Sequence, residues 1–330
     1  MADQLVQDLY AEIVKIPLID PHSHIDPRRP TARSLDDILG YHYYTELAHS
    51  AGMDKALLAD VSPRERARGL LAHVDRFDNT VQYGWLLEIA RTFLGFQGER
   101  LTAGDADALW DAAERVLARP DWEAYVLKRS NLEKVFLTSD FDDPLTGFDP
   151  ARYVPCLRTD DLVFHLDQPQ TRTRLARATG AEVGDLAGLR RAVRALFEHF
   201  TARGAKACAV SLPPDFTPAA VPDADLGRAL DAVLAGEVSW QRGVFTAVQM
   251  VRSVLQSPAE ESPAGVLALG VFWMLAEHCR EFGLPFDLMV GVNRRVYRNG
   301  VYQGQDLFDQ RTSLFQYTEL FNAFPEVTFC

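Results

Sequence analysis

Short apolar runs of strand length alternate along this chain with longer stretches whose apolar positions recur every three to four residues. That pattern predicts parallel strands joined by helical crossovers. The strand-like runs are IPLIDPHSH (16–24), EKVFLTS (133–139), ARYVPCL (151–157), AKACAVS (205–211), PFDLMVGV (285–292) and EVTFC (326–330). A helix is predicted over residues 3–15. Residues 34–130 contain no convincing strand and read as a helical insertion after the first one. Within it, GWLLEIARTFLGF sets Trp85, Leu86, Ile89, Ala90, Phe93 and Leu94 at helical spacing. DADALWDAAERVLARP opens on acids, closes on arginines and stops at Pro120. Further on, LRRAVRALFEHF gathers Leu189, Val193, Leu196, Phe197 and Phe200 on one face, and DLGRALDAVLAG ends on the C-capping Gly236. GVLALGVFWMLAEHCREF breaks at Gly283 and Pro285, and TSLFQYTELFNAF is the last helix.

The pattern supplies six strands in all. A closed (β/α)8 barrel takes eight. The expectation is therefore one α/β domain over residues 1–330 that is truncated, completed by a second chain, or left as an open sheet.

Composition narrows the classes. Apolar residues at 47% and charged residues at 24% are globular values. A net charge of −12 argues against nucleic acid, whose phosphates would be repelled, but leaves room for a small anion in a local basic pocket. The N-terminus lacks a secretory signal, and the apolar stretch Pro263 to Ala276 is too short to span a bilayer. Four scattered cysteines without Cys-x-x-Cys spacing fit a reduced, cytoplasmic compartment.

The strongest chemical signal is Asp20-Pro21-His22-Ser23-His24 at the end of an apolar run. Alternation turns His22 and His24 to the same face, about 7 Å apart along the strand, from where two imidazoles can converge on one divalent metal, zinc being the commonest case. The C-terminal end of a barrel strand is where such folds keep their active sites.

LIDPHSHIDP, LGYHYYTELAHSAGM, LTSDFDDP and VPCLRTDD together resemble the uronate isomerase branch of the amidohydrolase superfamily, in the same order over nearly the whole chain. The resemblance implies a metal-dependent (β/α)8 TIM-type barrel. It implies His22 and His24 as metal ligands, His42 and Tyr43 as the His-Tyr pair against the substrate, and Thr138, Asp142, Asp143 and Pro144 in the second-strand motif. Arg158 and Asp160 match its Arg-x-Asp motif, and Arg294 an arginine after a later strand. A hexuronate such as glucuronate or galacturonate carries a carboxylate and hydroxyls, which suit arginines and a metal. His42 and Tyr43 would then handle protons in aldose–ketose isomerisation.

The sequence also departs from that family. KACAVSLPP lacks the fourth-strand histidine, Met289 stands where the fifth strand has one, and Thr45-Glu46 replaces a Trp-Arg pair. The last-strand aspartate would lie beyond residue 330. Two rival readings follow: a metal-dependent hydrolase of the wider superfamily, and a degenerate barrel that binds a sugar acid or a partner chain without turnover. Self-association into a homo-oligomer is left open. The cluster Gln305, Asp306, Asp309, Gln310 and Arg311 reads as a capped helix start rather than a polar loop over the site. His49, His73, His165, His199 and His278 read as structural.

Overall fold

The apolar runs pair as parallel strands in chain order. A computed structural model describes residues 2–59, 61–236, 262–293, 307–308 and 312–330. Strand β1 is Leu18–Ser23, β2 is Leu132–Leu137 and β3 is Ser139–Asp140. Next come β4 (Tyr153–Val154), β5 (Leu157–Arg158), β6 (Cys208–Leu212) and β7 (Phe286–Val290). One ladder orders β1-β2-β4 and the next β3-β5-β6-β7. Because β2 runs on into β3 and β4 into β5, the ladders share their middle strands. Register is parallel throughout the second ladder, with Asp140 beside Arg158, Arg158 beside Ala209 and Ala209 beside Asp287.

The predicted strand at 326–330 is shorter than expected. It contributes a single parallel bridge from Phe329 to Phe286, at the outer side of β7. The Phe286 amide donates to the Thr328 carbonyl at 2.8 Å and the Cys330 amide to the Phe286 carbonyl at 3.1 Å.

The chain divides into two compact units. The first comprises Met1–Leu18, Ile25–Glu133 and Asn293–Leu307. Among its described residues it is helical from the end of β1 to the start of β2. Helix α1 is Ala2–Ile13, α2 Leu35–Leu39, α3 His42–Ser50, α4 Ala56–Ala59 and α5 Pro63–Leu71. Helices α6 (Val81–Leu94), α7 (Ala106–Leu117) and α8 (Trp122–Arg129) follow. Capping boxes at Ser34 with Asp37 and at Ser62 with Glu65 start α2 and α5, satisfying amides that have no partner inside the helix. Leu70, Leu71, Val74, Leu86, Leu109 and Ala113 meet in the core of this unit. Trp85, expected on the apolar face of α6, is exposed. The buried stripe runs through Tyr83, Leu86, Ala90 and Leu94, which leaves Trp85 at its margin. Helix α1 likewise keeps Leu5, Leu9 and Ile13 exposed.

The second unit comprises Ile19–His24, Lys134–Val292 and Phe308–Cys330. Its helices are α9 (Asp160–Phe164), α10 (Pro169–Thr179), α11 (Leu186–Ala202), α12 (Asp223–Leu234), α13 (Pro263–Phe282) and α14 (Thr318–Ala323). The final predicted helix begins instead as a 3-10 turn at Leu314–Tyr317, capped by Ser313. Alternation sends Leu157, Cys208, Val210, Leu212 and Phe286 into one core with Leu196, Phe197 and Phe200 of α11 and Val271 and Phe272 of α13. His278 is buried there beside Phe197, with ring centroids 5.2 Å apart, and burial pushes its pKa down, so it is a packing residue. Gly283 stops α13 at φ 64°, a left-handed conformation that favours glycine. No helix among the described residues is long and apolar enough to cross a membrane.

Candidate functional site

The strand faces turned away from the helices carry the chemistry. In parallel register, Asp140, Arg158, Ala209 and Asp287 form one row across β3, β5, β6 and β7. Ala209 puts only a methyl group between Arg158 and Asp287. Two residues before Arg158, Cys156 is buried, and burial, reinforced by Asp287 and Cys208, pushes its thiol up to about 12. It is a neutral floor, not a nucleophile. Although β1 and β7 lie at opposite ends of the strand order, His22 Nδ1 of β1 comes within 3.9 Å of Asp287 Oδ2 of β7. The sheet therefore curls around this polar face.

His22 and His24 converge. The His22 amide donates to Asp20 Oδ1 at 3.1 Å, within β1 and across Pro21. The two imidazoles then swing together, edge to face, with centroids 4.9 Å apart and their Nε2 atoms 3.2 Å apart. Two nitrogens sharing one tetrahedral zinc ion at their usual bond lengths would sit about 3.3 Å apart. The pair thus fits a metal by its spacing. His24 Nδ1 lies 3.0 Å from Thr138 Oγ1, which also contacts the Ser23 carbonyl at 3.0 Å. Burial raises the Asp287 carboxyl above its ordinary pKa, and His22 pulls the other way. Among the described residues no group of three His, Cys, Asp or Glu side chains is arranged around one point to hold a metal.

Arg158 and Asp160 are brought together, with Nε 3.1 Å from Oδ2 and Nη2 3.4 Å from Oδ1. Burial works against the Arg158 charge. The bond to Asp160, with Asp140 and Asp161 behind it, outweighs burial and raises the pKa of the guanidinium. Asp142 is engaged elsewhere: Arg174 grips it at 2.6 and 2.9 Å, holds Asp161 at 2.7 Å, and lies 4.6 Å over the Phe141 ring. The Arg174 hydrogen bond is the main reason the Asp142 carboxyl sits below its ordinary pKa. A depressed carboxylate contributes stability above its unfolded pKa and loses it as pH falls through the folded value. Arg174→Met is therefore expected to cost about 1–2 kcal/mol at neutral pH, discounted because the pair is partly exposed, with the deficit shrinking below about pH 4. Urea unfolding at several pH values measures this.

His42 and Tyr43 belong to the first unit, at the start of α3, with ring centroids 4.2 Å apart. Tyr43 lines a cleft of about 450 Å3 there with Tyr41, Tyr44, Trp85, Gln82 and Ile38. Arg294 and the 305–311 cluster fall outside the described residues, apart from Leu307 and Phe308. Sequence reasoning passed over Asp287. Its signal was the alternation that puts it on the face of Met289, two residues on.

Solved structures share this fold. Glucuronate isomerase from Caulobacter crescentus matches with a TM-score of 0.80 and 20% identity, over 98% of this chain and 69% of its own. Uronate isomerase from Thermotoga maritima matches with a TM-score of 0.79 and 18% identity, over 98% and 71%. The architecture is that of a TIM-type α/β barrel. The glucuronate isomerase family model matches residues 1–247, and the chain belongs to that family. Among curated relatives, uronate isomerase of Corynebacterium glutamicum is 30% identical over 262 residues, 70% of this chain and 49% of the relative. That of Rhizorhabdus wittichii is 30% identical over 67% of this chain and 50% of its own length. The chain spans about half the length of these two relatives.

Proposed function

We propose that this chain carries out the aldose–ketose isomerisation of a hexuronate, glucuronate or galacturonate, in the cytoplasm. The observation that supports it is the pair of facing imidazole nitrogens on the polar strand face that also carries Arg158, in a member of this family. His22 and His24 would hold a divalent ion, zinc by preference. When bound, the ion would act as a Lewis acid on a substrate oxygen. Arg158, oriented by Asp160, keeps Nη1 without a hydrogen bond among the described residues and would take the sugar carboxylate there. Arg294 is a second cation for the same task. His42 and Tyr43 of the first unit are, by family resemblance, the candidates for moving the proton between adjacent carbons. The partner is a small sugar acid.

The test is conversion of glucuronate to its ketose by the zinc-loaded protein. His22→Ala is expected to lower turnover by roughly 100-fold or more. Unchanged turnover in that variant removes the assigned site, and cleavage of a lactone or amide without isomerisation favours a hydrolase. A second reading, a sugar-acid-binding barrel without turnover, draws on the lack of a third metal-ligating side chain among the described residues.

A further inference from the structure

We propose that Thr138 and Asp287 are positioning residues that decide which ring nitrogen of His24 and His22 faces the metal. The inference rests on the metal reading of the histidine pair. A threonine hydroxyl has one hydrogen. Thr138 Oγ1 lies 3.0 Å from the Ser23 carbonyl, which can only accept, so the hydrogen is donated there. Toward His24 Nδ1, also at 3.0 Å, the same oxygen then offers a lone pair, and the contact forms when Nδ1 carries the ring hydrogen. That choice puts the lone pair of His24 on Nε2, the atom 3.2 Å from His22 Nε2.

On His22 the same selection comes from the other end of the sheet. The Asp287 carboxylate, an acceptor, approaches Nδ1 to 3.9 Å, and a closure of about 1 Å makes it a hydrogen bond. It favours the ring hydrogen on Nδ1, leaving Nε2 to face inward. Both histidines then present lone pairs to one point, an arrangement that repels without a cation and binds with one. The competing arrangement, a hydrogen bond from His22 Nε2 to His24 Nε2, gives Asp287 no role. Outer partners of this kind fix imidazole orientation at metal sites. Here they come from two different strands' ends, the β2-β3 junction and β7.

The experiment measures zinc affinity of the whole chain by chelator competition, together with the visible spectrum of the cobalt(II) form. Thr138→Val and Asp287→Ala are each expected to weaken zinc binding by about 10- to 100-fold and to alter the cobalt bands at unchanged stoichiometry. Thr138→Ser keeps the hydroxyl and should stay within about threefold of wild type. Melting of the metal-free variants checks the fold, and Asp287→Leu, which has no acceptor, replaces Asp287→Ala if the latter melts early. A wild type that binds no zinc removes the metal reading beneath this proposal. If wild type binds zinc, His24→Ala does not, and Thr138→Val and Asp287→Ala bind normally, the positioning role alone is overturned. Loss of the ion in Asp287→Ala with Thr138→Val unaffected would make Asp287 a direct ligand and also overturn it.

Discussion

His22→Ala and His24→Ala, made singly, are expected to weaken zinc binding by about 100- to 1,000-fold each. In closed zinc sites each of four ligands averages about 2.5–4 kcal/mol, or two to three powers of ten, and in a site that rests on this pair each nitrogen is worth at least that. The two Nε2 atoms are 3.2 Å apart, so removing either takes away one of the two nitrogens that would share the ion. His73→Ala serves as the control. Its Nδ1 lies 2.8 Å from the Gly69 carbonyl in the first unit, and its loss should leave metal content unchanged. Elemental analysis after dialysis against micromolar zinc reads all three. Equal metal in wild type and both histidine variants would contradict the assignment.

Phe272→Ala is expected to destabilise the second unit by about 3–5 kcal/mol in urea unfolding. The Phe272 side chain is fully buried, 5.0 Å from the Phe216 ring and 5.3 Å from the Phe286 ring. It fastens α13 to β7, the strand that carries Asp287 one residue after Phe286. Truncation loses both the apolar transfer energy and the contacts around the space left behind. A cost below about 1 kcal/mol would mean that this core collapses freely around the gap.

The strands were legible because each buried strand face is a short apolar run; their order in the sheet was not part of the pattern. AKACAVS and PFDLMVGV could be read without any knowledge of their partners, and they pair side by side. The stretch from residue 34 to 130 was legible as helix from its period and its caps. Trp85 was misplaced because a helical period fixes spacing, while the centre of the stripe depends on what packs against it. The segment 326–330 was overread as a full strand, since its alternation says nothing about how much of β7 lies beside it. The histidine pair was visible in His-x-His. That they can converge on one point was read there too; the 3.2 Å between their Nε2 atoms was not, because alternation fixes only about 7 Å along the strand and the rings close that distance by rotating. Asp287 and Thr138 gain their roles from residues more than a hundred positions away in sequence, a relation no local pattern carries.

The most direct test of the paired-imidazole metal site is a zinc-soaked crystal, measured at the zinc absorption edge. One anomalous peak is expected about 2.0–2.1 Å from Nε2 of both His22 and His24. A peak elsewhere, or none with the two rings bonded to each other, would contradict it.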